Sequence, residues 1–97
     1  MPHYVSLLRY TQKGVESLKD SPKRLDATKK AFEAAGGKLK AIYWTMGQYD
    51  AVAIGEFPDD ETSLRLSLAG ATQGNVRAET LRAFTEEEFR KAIASLP

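Results

Sequence analysis

Apolar side chains recur along the 97-residue chain with two different periods. In residues 3–11, 38–47, 49–58 and 75–84, β-branched and aromatic types are frequent or apolar positions alternate with polar ones, which is typical of strands. In residues 21–37, 58–74 and 85–96, apolar positions recur at helical spacing, which is typical of helices that bury one face. The pattern therefore predicts four strands and three helices.

The predicted elements follow the order strand, helix, strand, strand, helix, strand, with one further helix at the end. This is the order of the split βαβ or ferredoxin-like plan. The predicted fold class is therefore α+β, with a four-stranded antiparallel sheet, two helices on one of its faces and a C-terminal helix. No repeat, linker or low-complexity segment interrupts the chain, so residues 1–97 are expected to form one domain.

The first predicted helix has start and stop signals. Ser21 can cap its free amides, Pro22 suits its first turn, and the glycine pair at 36–37 can end it in a left-handed turn. The residues before it are broken by Gly14 and Pro22, which predicts a loop after the first strand.

Charge and capping mark the two later helices. Acidic residues in the first turn of 58–74 favour a helix there through the helix dipole. The stripe that this helix buries is expected to contain Leu64, Leu68 and Ala71. Thr85 and Glu88 form the signature of a capping box at the start of the last helix.

A short segment, Gly47-Gln48-Tyr49-Asp50, separates the second and third strands and predicts an antiparallel hairpin. Pairing Met46 with Ala51 would set large side chains opposite small ones on one face, which suits close packing of the helices there. The pairs on that face would be Ile42 with Gly55, Trp44 with Ala53 and Met46 with Ala51. The opposite face would then be uncovered.

The uncovered face of the predicted sheet carries a contiguous apolar surface. Such a patch is larger than soluble monomers usually leave exposed. We therefore expect a second copy of the chain to cover it, in a homodimer or a higher oligomer. Its expected members are Tyr4, Leu8, Tyr10, Tyr43, Thr45, Val52, Ile54 and Leu81.

Composition narrows the classes of partner and chemistry. The 14 basic and 13 acidic residues give a net charge of +1, which provides no strong field for nucleic acid or an anionic membrane. Residues 1–40 are basic overall and residues 41–97 acidic, which we interpret as solvated helix faces of opposite sign.

The absence of cysteine excludes disulfides and thiolate catalysis. Without a membrane-spanning apolar run or a signal peptide, the chain is expected to be soluble and cytoplasmic.

Three segments make the chain resemble the GYD domain family, small bacterial and archaeal proteins related to the dimeric α/β-barrel superfamily. The segments are LLRYTQKGVESLKDSPKR (7–24), GQYDAVAIGEFPDD (47–60) and GNVRAETLRAFTEEEF (74–89). The turn with Gly47, Tyr49 and Asp50 gives the family its name, and Ala78 stands where many relatives are expected to have threonine. The resemblance implies two sheets packed face to face. It implies no agreed activity, because the wider superfamily includes cofactor-free monooxygenases, lactone isomerases, haem-degrading enzymes and ligand-sensing modules.

The turn that names the family is the first candidate site. Asp50 can accept backbone amide hydrogens and fix the hairpin, while Tyr49 lies across the sheet edge. We prefer this interpretation to a catalytic tyrosine–aspartate pair, which would also have to face a pocket.

The uncovered sheet face is the second candidate site, since paired sheets would enclose an apolar cavity with a few polar groups. There a desolvated Glu56 could carry protons, with Tyr43 and Arg77 completing a catalytic set. The alternative is an ion pair between Arg77 and a glutamate, buried in a homodimer interface. The residues placed on this face by alternation are Tyr10, Tyr43, Glu56, Arg77 and Glu79; those expected to contact a ligand are Tyr10, Tyr43, Tyr49, Asp50 and Glu79.

Three functions compete at this point. The preferred one is a homo-oligomeric module that encloses a small-ligand or assembly site between its sheets. The second is a cofactor-independent enzyme of the monooxygenase or isomerase type. An RNA-binding sheet is disfavoured, because the fourth strand offers Arg77, Glu79 and Leu81 instead of an aromatic and basic pattern. His3, the only histidine, is expected to be solvated, and neither a metal site nor a cofactor is indicated.

Overall fold

A computed structural model covers residues 1–97 and contains one four-stranded antiparallel sheet. Its strands are β1 (His3–Tyr10), β2 (Lys38–Trp44), β3 (Ala51–Glu56) and β4 (Val76–Ala83), in the spatial order β2-β3-β1-β4. The first strand is therefore central, with β3 on one side and β4 on the other. The predicted ferredoxin-like α+β fold is confirmed.

Four helices accompany the sheet: α1 (Gln12–Glu16), α2 (Ser21–Ala34), α3 (Asp60–Gln73) and α4 (Glu86–Ala94). None of them is long and apolar enough to pass through a membrane. The loop predicted after the first strand was wrong, because α1 and a 3₁₀ turn at Leu18–Asp20 occupy that segment. Position 14 in α1 is a glycine because a Cβ there would clash with the carbonyl oxygen of Asn75.

The start of α2 differs from the prediction, whereas its end agrees. Ser21 is the first helical residue, and its hydroxyl accepts a hydrogen bond from Arg24 Nη2 at 3.0 Å instead of capping the helix. At the other end Gly36 adopts a φ of +81°. The amide of the next residue, Gly37, donates to the carbonyl of Phe32 at 2.8 Å, which closes the left-handed turn.

Side-chain caps begin both later helices. Asp59 Oδ1 accepts from the amide of Thr62 at 2.8 Å, and its bonds to the Thr62 hydroxyl and amide hold the pKa of Asp59 below its ordinary value. In α4 the hydroxyl of Thr85 accepts from the amide of Glu88 at 3.1 Å. The carboxylate of Glu88 accepts from the amide of Thr85 at 2.9 Å, which lowers the pKa of Glu88. The predicted capping box is therefore confirmed.

The β2–β3 hairpin is shifted by two residues from the predicted register. Trp44 pairs with Ala51, and Met46 lies in the connecting loop, fully exposed. The loop is longer than a tight turn because the amide of Asp50 donates to the carbonyl of Leu8 on β1 at 2.8 Å. A shift of two leaves Ile42, Tyr43 and Trp44 on their predicted faces, since strand side chains alternate with a period of two.

The face predicted for β1 was wrong. Tyr4, Leu8 and Tyr10 lie on the helix side, because β1 pairs Val5 with Ile54 and Leu7 with Val52 and so sets its odd positions on the uncovered side. Tyr4 accounts for this choice, since its side chain is buried and its hydroxyl donates to Asp60 at the start of α3. We call the uncovered side the open face; its apolar members are Val5, Leu7, Tyr43, Val52, Ile54 and Leu81.

Three aromatic rings close one end of the space between the sheet and the helices. Phe57 contacts Tyr4 and Phe32, with ring centroids 5.7 and 4.7 Å away. Phe32 also reaches Gly55, where an added Cβ would lie 3.0 Å from its ring, so the glycine permits close approach of α2 to β3. Tyr4 and Phe57 are only 5% and 4% exposed, which makes this aromatic cluster the densest part of the core.

Away from the aromatic cluster, a groove opens between α2 and α3. Helix α2 packs on β2 and helix α3 packs on β4, at opposite edges of the sheet. The space left between them, floored by the helix side of the sheet, measures about 720 Å³. Trp44 and Leu68 at its margins are 54% and 57% exposed. This groove means that the two helices do not close the core by themselves.

The predicted buried stripe of α3 was wrong as well. Leu64 and Leu68 are both 57% exposed, whereas Thr62 and Ser63 are buried. The cap from Asp59 and the bond between Asp60 and Tyr4 fix the rotation of the first turn. With this rotation Leu64 lies outside the groove and Leu68 lies only at its margin. Ala71 does line the groove, although it stays exposed.

Replacing Tyr4 with phenylalanine should lower the free energy of unfolding by about 2 kcal/mol at pH 7, because a buried hydroxyl bonded to a carboxylate is lost. Burial, the hydrogen bond to Asp60 and its charge raise the pKa of Tyr4 to about 12. The folded state therefore holds this proton more tightly than the unfolded state, whose pKa is about 10. The contribution of Tyr4 should be complete below about pH 10 and lost as the pH rises towards 12.

Urea unfolding of the wild type and Tyr4→Phe, at pH 7 and across this alkaline range, measures both effects. Tyr43→Phe is the control: its ring is 64% exposed, and it should stay within about 0.5 kcal/mol of the wild type at pH 7. A constant difference between the wild type and Tyr4→Phe across the alkaline range would contradict the assignment.

Candidate functional site

The hairpin loop directs Tyr49 and Asp50 to different partners. Gly47 adopts a φ of +121°, a backbone conformation that L side chains rarely take. Beyond it, Asp50 runs beside the end of β1, and its Oδ2 accepts from the amide of Tyr10 at 2.8 Å. The carboxylate thereby supplies a side-chain acceptor for a backbone amide of β1 at the point just before β3 begins. In this position Asp50 joins the hairpin to the central strand.

Tyr49 belongs to a polar cluster at the edge of the open face. The guanidinium of Arg9 lies 4.6 Å from the centroid of the Tyr49 ring, and the Tyr49 hydroxyl donates to Glu79 at 3.3 Å. Arg9 Nε also donates to the carbonyl of Gln48 at 2.7 Å, which ties the loop to β1 from this side. Arg9, Tyr49 and Glu79, together with Arg77, surround a shallow pocket of about 250 Å³.

Glu56 lies at the other end of the open face. His3 Nε2 is 2.9 Å from Glu56 Oε1, and Lys40 Nζ is 3.9 Å from the same oxygen. The expectation that His3 is solvated was wrong, because its side chain is only 20% exposed and its Nδ1 is buried without a hydrogen-bond partner in the chain. No local pattern of residues signals this pair, because the strand pairing that joins His3 to Glu56 is long-range.

One chain does not bring the proposed catalytic set together. Glu56 pairs with His3 at one end of β1, and Arg77 pairs with Arg9 at the other. Six residues of strand separate these positions, a distance of about 20 Å. Tyr43 lies on edge strand β2, on the same face and 64% exposed. No group of three or more histidine, aspartate or glutamate side chains lies where it could hold a metal ion.

The residues predicted to contact a ligand divide between the two faces of the sheet. Tyr10 lies in the groove, where its hydroxyl accepts a hydrogen bond from Trp44 Nε1 at 3.1 Å, and Asp50 lines the groove as well. Tyr43, Tyr49 and Glu79 belong to the open face or its edge. The groove has the volume of a small-molecule site, for which about 300–1,000 Å³ is typical. Sequence reasoning missed it, because an alternating pattern does not show how far apart two helices lie.

These features define a class of protein: a small ferredoxin-like α+β module with an uncovered apolar sheet face and a separate groove under its helices. The GYD domain family matches the chain over residues 4–93, and the chain belongs to this family.

Two relatives from Thermus thermophilus extend the comparison. One, the glutamine synthetase and cystathionine beta-lyase binding protein, is 33% identical over 84 residues, which are 86% of this chain and 88% of that protein. The other is known from a crystal structure that aligns with a TM-score of 0.54 at 25% identity, covering 88% of this chain and 95% of that one.

Replacing Asp50 with alanine should leave the amide of Tyr10 without its acceptor and lower the free energy of unfolding by about 1 to 2 kcal/mol. Asp50→Asn keeps an acceptor oxygen in the same place and should lose less than half of that amount. Urea unfolding of the three proteins measures the difference. Equal losses in the two variants would show that the negative charge, and not the backbone hydrogen bond, is what matters.

Proposed function

We propose that the protein is a homo-oligomeric binding module, in which the sheets of two copies pack face to face and the assembly binds a metabolic enzyme. The observation that carries this proposal is the apolar open face. Tyr43 and Leu81 are 64% and 50% exposed there, and Val5, Leu7, Val52 and Ile54 are covered only in part.

The composition of the open face resembles that of a protein interface. Its centre consists of aliphatic and aromatic side chains, whereas charged groups lie at the two ends of the strands. One end has the His3–Glu56 pair, and the other has Arg9, Arg77 and Glu79. An apolar centre with a polar rim is the usual arrangement of stable interfaces. A flat sheet surface is also well matched by a second sheet, which packs about 10 Å away.

The enzyme-binding part of the proposal draws on the relative. That protein is named for binding glutamine synthetase and cystathionine beta-lyase, and its similarity extends over most of both chains. Binding of an enzyme by a small module requires exposed apolar contacts. When the open faces pair, the exposed leucines of α3 on the helix side, Leu64 and Leu68, remain available for such contacts.

A catalytic role is the second candidate, and the His3–Glu56 pair favours it. A carboxylate that is 18% exposed and has an imidazole nitrogen 2.9 Å from one of its oxygens is placed for proton exchange. Because Glu56 and Arg77 lie at opposite ends of one sheet, a site that uses both with Tyr43 needs residues from two copies. Cofactor-independent catalysis between the sheets, or binding of a small molecule there, would therefore depend on the same pairing.

The first test is Tyr43→Glu, which places a charge in the proposed dry interface. Leaving a charge unpaired on burial costs several kcal/mol, enough to separate the sheets. Light scattering should show that the mass of the assembly falls by half or more.

Ala31→Glu is the matched control, because it adds the same charge at an exposed position of α2 that lines neither the groove nor the open face. It should keep the mass of the wild type. If Tyr43→Glu also keeps that mass, the sheets do not pair in this way.

The second test measures binding to the two enzymes named for the relative. Purified glutamine synthetase and cystathionine β-lyase from the source organism of this chain would be titrated with the protein by isothermal calorimetry. We expect a Kd of about 10 μM or tighter for at least one of them, which corresponds to about 7 kcal/mol of binding free energy. If the titration reaches saturation with neither enzyme, the proposed binding of an enzyme is wrong. The test of sheet pairing is unaffected by that result.

A further inference from the structure

The C-terminal helix carries an apolar stripe that nothing in its own chain covers. Phe89 and Ile93 of α4, and Leu96 two residues after its end, recur at helical spacing and are 61%, 51% and 65% exposed. Every side-chain hydrogen bond and ion pair of α4 stays within residues 85–95. A helix of nine residues is too short to be stable in water without packing. We call these three residues the α4 stripe.

The groove between α2 and α3 is the second unpartnered feature, and small side chains form part of its floor and part of its α3 wall. Its floor includes Ala51, Ala53 and Gly55 of β3, and its α3 wall includes Ser67, Gly70 and Ala71. Small residues allow a bulky side chain to enter deeply, and the groove volume of about 720 Å³ shows that none from the same chain does so.

The width of the groove suits a row of side chains. Two helices above the outer strands of a four-stranded sheet lie about 14 Å apart, and closely packed helices lie about 8–10 Å apart. The gap of about 5 Å is too narrow for a whole helix, but it accepts one stripe from a helix lying across it. The open face is flat and has bulky side chains, so it is less suited to a helix than the groove is.

The distribution of charge also favours docking of α4 into the groove. Three glutamates, Glu86, Glu87 and Glu88, form the first turn of α4, and Arg90 and Lys91 pair with the first two, so the helix is acidic by one net charge. The groove wall formed by α2 contains Arg24, and the same helix carries four basic residues against two acidic ones. An α4 helix in the groove would bring opposite charges together.

The α4 helix cannot fill the groove of its own chain. Only two residues separate it from β4, so it begins beside the end of the sheet that the aromatic cluster closes. To reach the open part of the groove it would have to fold back along β4, whose eight residues span about 27 Å. The nine helical residues of α4 span only about 13 Å.

We propose that the α4 stripe docks into the groove of another copy of this chain. The expected size of the assembly rests on the proposed pairing of open faces, whereas the contact between α4 and the groove does not. In a sheet-paired dimer both grooves face outward, on the side away from the partner, so α4 reaches a copy outside the dimer. The contact joins two different surfaces, and such a head-to-tail interface links dimers into a larger ring or chain.

Ile93→Glu tests the proposal in the full-length protein, because it places a charge in the middle of the α4 stripe. We expect the wild type to have a mass above that of a dimer and Ile93→Glu to have the mass of two chains. Ala94→Glu, about 100° around the same helix from Ile93 and outside the α4 stripe, should keep the wild-type mass. A wild type no larger than a dimer would overturn the proposal. So would equal masses for all three proteins.

Thiol cross-linking identifies the contact itself, and the lack of native cysteines makes it specific. Single variants Ile93→Cys and Ser67→Cys would be mixed and treated with a short bismaleimide. We expect a cross-linked pair of unlike chains, and a double variant should link between chains. Intrachain links, or links between two copies of Ile93→Cys alone, would overturn the proposal. This result does not depend on whether the sheets pair, so failure of groove docking and failure of sheet pairing are distinguishable.

Trp44, the only tryptophan, gives an independent signal from the margin of the groove. Its emission should shift to shorter wavelength when the wild type assembles on concentration, and should not shift in Ile93→Glu. Native mass spectrometry tests whether a small molecule occupies the groove instead of α4. A small molecule retained at one per chain, with no effect of Ile93→Glu on mass, would overturn the proposal in favour of a ligand.

Discussion

Burial of Tyr4 determines how the rest of the molecule is arranged. Its ring packs on Phe57, and its hydroxyl reaches Asp60 at the start of α3, so it connects the central strand, the end of β3 and a helix. Because strand side chains alternate, placing Tyr4 on the helix side sends Leu8 and Tyr10 there too. Val5, Leu7 and Arg9 are then on the open face. One buried tyrosine thus sets the composition of both surfaces from which the proposed function is argued.

Local chemistry was sufficient to predict most of the secondary structure. Alternation indicated the four strands and the faces of β2, β3 and β4, and the capping box indicated the start of α4. Even the hairpin error was harmless, since a two-residue shift conserves the faces. These features succeed because each depends on residues close together in sequence, such as Thr85 and Glu88.

The errors have a common cause in long-range contacts. Apolar residues occupy both the even and the odd positions of β1, as expected for a central strand, so its pattern could not assign a face. Gly14 resembled a loop signal, but it is needed where α1 meets the carbonyl of Asn75. The candidate site was affected in the same way. Pairing of His3 with Glu56, and separation of Glu56 from Arg77, follow from strand register and not from residue type.

The small core links folding of this chain to its association. Only seven of the 97 residues are buried, and the aromatic cluster contains the largest of them. A domain of this size has a small free energy of unfolding, and here much of its apolar surface stays in contact with water. Covering the open face or the groove would therefore stabilise the folded chain as well as join it to a partner, by mass action. The end of the molecule with the open groove lacks the aromatic cluster, and it would gain the most stability from being covered, since regions with few buried contacts unfold first.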